Sequence, residues 1–364
     1  MKAKAAVYVG ANQPFEIREY PLTAPQKGYA KMSLIASGVC GTDIHIHNGN
    51  LSFAGSQIIG HEFVGRIEEI SESDANQYGL QAGDAVISDI ACPCGECLLC
   101  RTGDDANCVN MKVTNGGNPE EAPHFHGGYG EYSYAPVENL IRVPESVNPK
   151  AAAVFACPGP TAIHAFSLAE QANCHLKTAK VAVVQGFGPV GSFALLYLAK
   201  MRVQKIVLIA GTMDEKKRAL AYQLGATDIY DLRDDYECVI KKDILAMSEG
   251  LGADLVFEAS GNPAAIPMGI DLLRNRGVYL VPGQYSNSGG IEIQPQLITF
   301  KALQIIGSSQ YSMVDVRKYV EFLEKNPDLE EAILSLATAY RVEDVNQAFA
   351  DAKARKNIKT LLTK

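Results

Sequence analysis

Hydrophobic and polar positions alternate in two different ways along this chain of 364 residues. Up to about residue 155 the apolar runs are short and are separated by glycine- and proline-rich turns, as in residues 30–38, 63–70 and 84–90. That pattern is typical of short strands. From about residue 159 to residue 283, short apolar runs alternate with helical stretches. This order predicts a parallel sheet covered by helices on both faces.

The regular alternation of apolar runs and helical stretches ends near residue 300. Residues 303–308 are expected to form a last strand, and residues 314–326 and 342–354 have the spacing of amphipathic helices. We therefore predict an α/β protein in which residues 1–158 and 299–364 form a β-rich domain. A Rossmann-type, doubly wound domain, residues 159–298, would be inserted into it.

Composition narrows the choice of partners and compartment. The net charge is -8 and there is no basic block, which argues against nucleic acid or an anionic membrane as a partner. The N-terminal residues lack the apolar stretch of a signal peptide. The most apolar window, residues 181–199, contains Gln185 and Pro189, so we expect a strand, a turn and a helix there. Nine cysteines without a secretion signal indicate reduced thiols and a cytoplasmic location.

Four of the nine cysteines fall in the short run CGECLLCRTGDDANC. Thiolates at this spacing can turn toward one tetrahedral zinc ion at about 2.3 Å. Four protein ligands would close the coordination sphere, so the sequence predicts a structural zinc; disulfides are the alternative. The expected ligands are Cys94, Cys97, Cys100 and Cys108.

A glycine-rich motif, GFGPVG, follows the apolar run VAVVQ and precedes an apolar helix. This context is the one that a dinucleotide-binding G-x-G-x-x-G motif requires. The first glycine permits the tight turn, the second admits the pyrophosphate, and the third allows close helix–strand packing. The alternative is a glycine-rich turn that binds nothing. The residues expected to bind a cofactor here are Gly186, Gly188, Pro189, Val190 and Gly191.

The second strand of the inserted domain does not end in the acidic residue that would bind a ribose 2′-hydroxyl. Gly211 and Thr212 stand there instead, and Asp214 comes late and could cap the next helix. The basic run of residues 216–218 could meet a 2′-phosphate, or could be a solvated helix face. We expect NAD as the cofactor, with NADP as the alternative.

Further metal-binding residue types occur in the segments GVCGTDIHIH, GHEFVG and ACPGPT. Two cysteines and one histidine would hold a zinc ion with one open position, as a catalytic zinc requires. The motifs G-x-C-G-T-D-x-H, G-H-E, C-G-x-C-x-x-C, G-G-Y-x-E-Y, C-x-G-x-T and G-x-G-x-x-G occur in one order between Gly38 and Gly191. In this set and order the chain resembles the zinc-containing medium-chain dehydrogenases, the superfamily of alcohol, polyol and threonine dehydrogenases. The later βα pattern and the C-terminal NIKTLL extend the resemblance over nearly the whole chain.

The resemblance implies a GroES-like fold for the β-rich catalytic domain and assigns roles residue by residue. Cys40, His61 and Cys157 would bind a catalytic zinc, the ligand set known from alcohol dehydrogenase, and Glu62 would ligate it transiently. Thr42 would take the substrate proton, His45 would pass it on, and Asp43 would orient His61. The remaining implied cofactor contacts are Thr161, Thr212, Pro282, Gly283 and Lys359.

The expected reaction is hydride transfer between an alcohol, or the matching ketone, and the nicotinamide. A secondary alcohol or polyol is the first choice of substrate, and a threonine-type amino alcohol is the second. A zinc-free reductase of the same superfamily and a non-catalytic protein that binds zinc and dinucleotide are the remaining alternatives. The resemblance implies a homodimer or homotetramer, and residues 303–308 could pair as an edge strand. The expected pocket walls are Ile44, Phe53, Phe155 and the region of Tyr285.

Overall fold

The structure, a computed structural model, describes residues 1–51 and 55–364, so Phe53 lies outside the described residues. The chain forms two compact units. The first comprises Met1–Pro160 and Tyr311–Lys364, and the second comprises Thr161–Gln310. The return to the first unit comes later than residue 299, because one more strand of the second unit follows that position.

The first unit is rich in short strands. Its strands are β1 (Lys2–Val7), β2 (Glu16–Pro21), β3 (Tyr29–Val39), β4 (Phe63–Glu69), β5 (Ala85–Ser88), β6 (Ala91–Cys92), β7 (Lys112–Val113), β8 (Tyr132–Pro136), β9 (Leu140–Arg142), and, after the second unit, β16 (Ala337–Arg341) and β17 (Lys359–Thr363). Its helices are α1 (Gly41–His47), α2 (Glu72–Tyr78), α3 (Leu98–Arg101), α4 (Pro149–Val154), α11 (Met313–Lys325), α12 (Glu330–Ser335) and α13 (Val345–Lys353); α5 (Pro158–Gln171) begins in this unit and continues into the second.

A seven-stranded sheet organises the first unit, with the order β16-β17-β3-β4-β5-β9 and with β8 also paired to β3. The long strand β3 alternates between buried and partly buried positions, as a strand with one face on the core should. It pairs antiparallel with β4, so that Ser37 lies opposite Phe63. This register brings the residue after β3, Cys40, next to the residues before β4, His61 and Glu62.

The second unit alternates strands with helices. Its strands are β10 (Val181–Gln185), β11 (Lys205–Ala210), β12 (Asp228–Asp231), β13 (Ala253–Glu258), β14 (Leu273–Val281) and β15 (Gln304–Gly307). Its helices are α6 (Pro189–Lys200), α7 (Glu215–Gln223), α8 (Glu237–Met247), α9 (Ala265–Leu272) and α10 (Pro295–Phe300). All the strand pairs are parallel and the order is β12-β11-β10-β13-β14-β15. The predicted doubly wound sheet is therefore confirmed, with its topological switch point between β10 and β13.

Two parts of this unit differ from the sequence-based prediction. Strand β12 and helix α8 were not predicted from the sequence. Strand β12 has only four residues, two of which are aspartates, so it lacks the apolar run typical of a buried strand. Helix α8 exposes the apolar Val239, which blurs its hydrophobic pattern. Strand β14 begins at Leu273, where the apolar pattern favours a helix up to residue 275. Arg276, within this strand, adopts a positive φ of 56°. From Val278 onward the strand pairs with β13 in parallel.

The most apolar window of the sequence, residues 181–199, forms strand β10 and most of helix α6, as expected. Spanning a bilayer takes about 20 apolar residues in one helix. In the described parts of the chain no helix combines the length and apolar character needed to cross a membrane.

Asp89 is a buried acid that joins the sheet of the first unit to the cysteine-rich segment. It is 2% exposed and follows β5 directly. Its Oδ1 accepts the backbone N–H of Ala91 at 3.1 Å, while Oδ2 has no hydrogen-bond partner among the described residues. Burial raises the pKa of Asp89 to about 7, against the lowering effect of the Ala91 hydrogen bond.

Because the folded pKa of Asp89 lies above the ordinary value of 3.8, the folded state retains this proton where the unfolded chain has lost it. The free energy of unfolding should therefore fall as the pH rises through the window from about 4 to about 7. We expect Asp89→Asn to reduce that decline and to be more stable than the wild type at the alkaline end. Denaturant unfolding across this pH range checks the prediction, and an unchanged slope in the variant would contradict it.

Candidate active site

The four cysteines of the CGECLLCRTGDDANC run converge on one point in a loop that contains α3. One sulfur from each of Cys94, Cys97, Cys100 and Cys108 lies within 4.8 Å of all the others. The backbone N–H of Cys97 points at Cys94 Sγ at 3.4 Å, and that of Cys94 points at Cys108 Sγ at 3.3 Å. Backbone hydrogen bonds from Glu96 and Cys97 lower the pKa of Cys94 to about 6. The local backbone therefore favours thiolates.

The sulfur separations of this cysteine lobe fit a tetrahedral metal site. Cys97 Sγ lies 3.5 Å from Cys100 Sγ and 4.0 Å from Cys108 Sγ. A regular tetrahedron with bonds of about 2.3 Å has edges of about 3.8 Å, which is the sulfur spacing expected around zinc. All nine cysteines are free thiols, so the structure shows no disulfide competing for these sulfurs.

A second cluster joins three distant parts of the first unit. The ligand atoms of Cys40, His61, Glu62 and Cys157 all lie within 4.8 Å of one another. Cys40 precedes α1, His61 and Glu62 precede β4, and Cys157 lies between α4 and α5. The sequence-predicted catalytic ligands are thus brought together, with two sulfurs, one imidazole and one carboxyl group.

The two thiols of this cluster are electrostatically coupled. A hydrogen bond with Cys157 lowers the pKa of Cys40 well below its ordinary value, helped by the charge of His61. The same hydrogen bond, together with burial, raises the pKa of Cys157. Against the lowering effect of burial, the charges of Asp43 and Cys40 raise the pKa of His61. The negative charges of Asp43 and Cys40 therefore favour a cation at this cluster.

Asp43 contacts the cluster through the side chain of His61 and the backbone of Cys40. Its side chain is fully buried in the first turn of α1. Oδ1 lies 3.4 Å from Nδ1 of His61, while Oδ2 accepts the backbone N–H of Cys40 at 2.9 Å and the hydroxyl of Tyr129 at 2.8 Å. A carboxyl group on the far ring nitrogen fixes the orientation of a metal-binding imidazole. This geometry supports the role expected for Asp43.

Glu62 has a partner that the sequence did not predict. Its Oε2 pairs with Nζ of Lys359, and both side chains are completely buried. Lys359 Nζ also approaches the backbone oxygen of Val39 at 3.4 Å, whereas Glu62 Oε1 has no hydrogen-bond partner among the described residues. Burial raises the pKa of Glu62 to about 7, although the charge of Lys359 acts in the opposite direction. One carboxyl oxygen is thus held by lysine, and the other has no hydrogen-bond partner among the described residues.

Two residues of α1 lie beside the cluster. Thr42 Oγ1 is 3.8 Å from Cys40 Sγ. His45 comes three residues later, so the two side chains share one helix face. Nδ1 of His45 is 3.3 Å from the side-chain amide of Asn50. A hydrogen bond donated by Asn50 would leave Nε2 of the imidazole carrying the proton.

The glycine motif forms the predicted turn between β10 and α6. Gly186 has φ of 103°, and a Cβ at this position would lie 2.8 Å from the backbone nitrogen of Ser260, so only glycine fits. Gly188 is the N-cap of α6, and Pro189 occupies its first turn. The helix therefore begins with backbone N–H groups free to bind an anion.

The other predicted cofactor residues are placed as follows. Thr212 is exposed after β11, and its hydroxyl donates to Gly211 O at 2.7 Å. Pro282 and Gly283 follow β14, and Thr161 lies in the first turn of α5. Lys359 is 1% exposed, and among the described residues its side-chain partners, Glu62 and the backbone of Val39, lie inside the first unit. That environment does not fit a contact with the pyrophosphate, because the ammonium group is committed to Glu62.

Comparison with known proteins identifies this architecture. The alcohol dehydrogenase GroES-like domain family matches residues 26–145, and the zinc-binding dehydrogenase family matches residues 189–325. A sorbitol dehydrogenase of Halalkalibacterium halodurans is 29% identical over 100% of this chain and 99% of its own length. An L-threonine 3-dehydrogenase of Caldanaerobacter subterraneus subsp. tengcongensis is 30% identical over 85% of this chain and 83% of its own length.

The chain belongs to the zinc-dependent medium-chain dehydrogenase superfamily. The crystal structure of an alcohol dehydrogenase from Thermotoga maritima superimposes with a TM-score of 0.91 at 26% identity, covering 100% of this chain and 99% of that one. The GroES-like fold expected for the first unit is confirmed. The protein is a zinc- and NAD(P)-dependent alcohol dehydrogenase.

Two residues that shape the dehydrogenase site, Tyr129 and Asn50, were missed by sequence reasoning, and a third, Lys359, was named there only as a cofactor contact. Tyr129 falls in the G-G-Y-x-E-Y motif but had no assigned role; it donates to Asp43. Asn50 contacts His45, and Lys359 neutralises Glu62. Only the motif around Tyr129 offered a signal in the sequence, since the other two contacts depend on how the chain folds back.

Lys359→Met would leave Glu62 buried without its cation. We expect the variant to lose about 3 to 5 kcal/mol of unfolding free energy, because an uncompensated charge is left in the interior. The double variant Glu62→Gln with Lys359→Met should recover most of this loss. Denaturant unfolding of the zinc-loaded dehydrogenase tests both. If Lys359→Met were as stable as the wild type but bound the dinucleotide more weakly, the pyrophosphate role of Lys359 would have to be restored.

Proposed function

We propose that the dehydrogenase oxidises a secondary alcohol group of an uncharged alcohol or polyol, or reduces the matching ketone. The observation that carries the proposal is the convergence of Cys40, His61 and Cys157, with Glu62, in the first unit. Two sulfurs and one imidazole leave a position for a substrate oxygen on a tetrahedral zinc ion. In this proposal the cysteine lobe holds a second, structural zinc.

The bound groups would supply a Lewis acid, which makes an alcohol oxygen more acidic, and a nicotinamide acceptor for a hydride. The alcohol loses a proton from oxygen and a hydride from carbon, so the chain must handle the proton. Thr42, whose Oγ1 lies 3.8 Å from Cys40 Sγ, would accept the alcohol proton through its hydroxyl and pass on its own proton. His45 would receive a proton at Nδ1, where the hydrogen bond from Asn50 would be displaced, and release the proton of Nε2 to solvent.

The charges around the Cys40–His61–Glu62–Cys157 cluster favour an uncharged substrate. Lys359 is paired with Glu62, and Asp43 is shared among His61, Tyr129 and the backbone of Cys40. An amino acid substrate would need partners for both its ammonium and its carboxylate groups, since an unpaired charge is costly in a desolvated site. A polyol requires only hydrogen-bonding groups. The full-length similarity to a sorbitol dehydrogenase supports the same choice.

The substrate proposal is tested by following nicotinamide reduction with NAD and with NADP against sorbitol, xylitol, a simple secondary alcohol and L-threonine. We expect turnover of the polyols or the secondary alcohol to exceed that of L-threonine at least about 10-fold in kcat/KM, because the site would leave threonine charges unpaired. Preferential turnover of L-threonine would reject the proposal in favour of amino alcohol oxidation.

The two metal assignments predict different losses. Cys40→Ala should retain about one zinc per chain, bind the dinucleotide and lose turnover, because the lobe is separate from the catalytic cluster. Cys97→Ala should lose the lobe zinc and lower the thermal midpoint, since a structural zinc contributes folding free energy. Metal analysis of the purified proteins, with unfolding and activity assays, checks both variants.

Cys238→Ala is the matched control for the metal experiment, because Cys238 is an exposed thiol outside both clusters. It should keep both zinc ions and full activity. If Cys40→Ala lost both ions, or kept both, the division into a catalytic and a structural site would be wrong. Both sites need reduced thiols, which supports a location in the reducing cytoplasm.

We further propose that the dehydrogenase forms a homodimer through the edge of its parallel sheet. Strand β15 is the last strand in the order, so one of its edges has no partner strand among the described residues. Ile305, within β15, is 42% exposed, and the preceding segment of the chain exposes Ile291 at 47% and Phe300 at 78%. Two β15 strands can pair across a two-fold axis and cover these groups.

Ile305→Lys should weaken this assembly, because it places like charges on both sides of the axis. We expect the variant to elute as a monomer in size-exclusion chromatography with light scattering. Val239→Lys, on α8 at 43% exposure, is the matched control and should leave the assembly unchanged. A wild-type monomer, or an Ile305→Lys protein of unaltered mass, would contradict the proposed interface.

A further inference from the structure

Glu258 is a buried acid at the topological switch point of the second unit. It is the last residue of β13 and is 0% exposed. Strands β10 and β13 are parallel neighbours, with Gln185 opposite Glu258. Ligands of doubly wound sheets bind outside the carboxyl ends of the strands at this point. No role was assigned to Glu258 from the sequence.

One carboxyl oxygen of Glu258 closes the turn that follows β13. Oε1 accepts the backbone N–H of Ser260 at 2.7 Å, the hydroxyl of Ser260 at 2.5 Å and the backbone N–H of Gly261 at 2.9 Å. Three donors on one buried oxygen leave this turn little freedom. The hydroxyl of Ser260 in turn accepts the N–H of Asn262 at 3.1 Å, which extends the network along the loop.

The turn that Glu258 fixes is packed against the dinucleotide motif. A Cβ on Gly186 would lie 2.8 Å from both the nitrogen and the Cα of Ser260, so the two turns are in direct backbone contact. The backbone N–H of Ala259 also donates to the backbone oxygen of Gln185 at 2.8 Å. Any shift of the Ser260 turn would therefore move the first glycine of the motif.

Glu258 also abuts the segment that follows β14. The N–H of Gly283 donates to the backbone oxygen of Glu258 at 3.0 Å. A Cβ on Gly283 would overlap Oε2 of Glu258, the carboxyl oxygen without a hydrogen-bond partner among the described residues. The same side chain thus contacts the Ser260 turn through one oxygen and the Gly283 backbone through the other.

We propose that Glu258 is a positioning residue for the nicotinamide cofactor, acting through the Ser260–Gly261 turn on Gly186 and through direct packing on Gly283. This inference rests on the proposed function, because it requires that the glycine motif bind the dinucleotide. Glu258 does not touch the cofactor in this proposal. It sets the spacing between two backbone segments at neighbouring strand ends.

The test compares Glu258→Leu with Glu258→Gln in the zinc-loaded enzyme. Glutamine retains an oxygen that can accept the three hydrogen bonds, whereas leucine retains none. We expect Glu258→Leu to raise the Kd of the reduced dinucleotide and its KM at least about 10-fold with a smaller change in kcat, because the network is lost. Glu258→Gln should stay within about 3-fold of the wild type. Fluorescence titration of the reduced nicotinamide and steady-state kinetics supply these values.

Asp254 provides a matched control at the opposite end of the same strand. It accepts the N–H groups of Lys180 and Val181 at 2.8 and 3.0 Å and Nε of Arg274 at 2.7 Å. Asp254→Leu removes as many hydrogen bonds as Glu258→Leu but lies away from the carboxyl ends of the strands. It should lower stability while leaving the Kd of the dinucleotide within about 2-fold of the wild type.

Ser260→Ala keeps the test decisive if Glu258→Leu does not fold. It removes the hydroxyl that donates to Glu258 and accepts the N–H of Asn262, but it keeps both backbone donors to Glu258. We expect about 3-fold weaker dinucleotide binding at an almost unchanged thermal midpoint. Unaltered binding in both Glu258→Leu and Ser260→Ala, or an equal loss in Asp254→Leu, would overturn the positioning role. A wild-type enzyme that binds no dinucleotide would instead overturn the proposed function on which this inference rests.

Discussion

The catalytic cluster depends on a strand pairing between the two ends of the chain. Strand β17 returns from the C-terminus and pairs with β3, with Thr360 opposite Val39, so that Lys359 arrives beside Glu62. Burying Glu62 without a cation would be costly, and the lysine that compensates it is 297 positions away in sequence. The buried position of Glu62 beside Cys40 and His61 therefore depends on a strand that follows the second unit in the sequence.

The two cysteine-containing clusters illustrate different ways of building a metal site. The lobe takes all of its sulfurs from one segment of fifteen residues, and backbone N–H groups of that segment point at them. The other cluster takes its donors from three segments that the β3–β4 register and α4 bring together. The first site is a local property of the chain, whereas the second is a property of the sheet. This difference suits a structural ion in one and a replaceable ligand position in the other.

In the second unit, buried polar groups gather at the carboxyl ends of the strands. Gln185 ends β10 and accepts the hydroxyl of Tyr279, while Glu258 ends β13 and holds the Ser260 turn. Interiors of parallel sheets are ordinarily apolar, and residues 181–184 of β10 and 255–257 of β13 follow that rule. Hydrogen-bonded side chains at one edge give the glycine turn a rigid support without placing charge on the surface that the cofactor would meet.

The features that depend on local pattern could be predicted from the sequence alone: the alternation of strands and helices, the turn at Gly186, the four-cysteine lobe and the residues of each donor motif. Hydrophobic period, glycine geometry and ligand spacing act over a few residues, so they can be read along the chain. The contacts between distant segments, namely Lys359 with Glu62, Tyr129 with Asp43 and the Ser260 turn with Gly186, could be recognised only in the folded chain. Such contacts are set by strand register and sheet order, which combine many weak preferences and leave no mark at a single position.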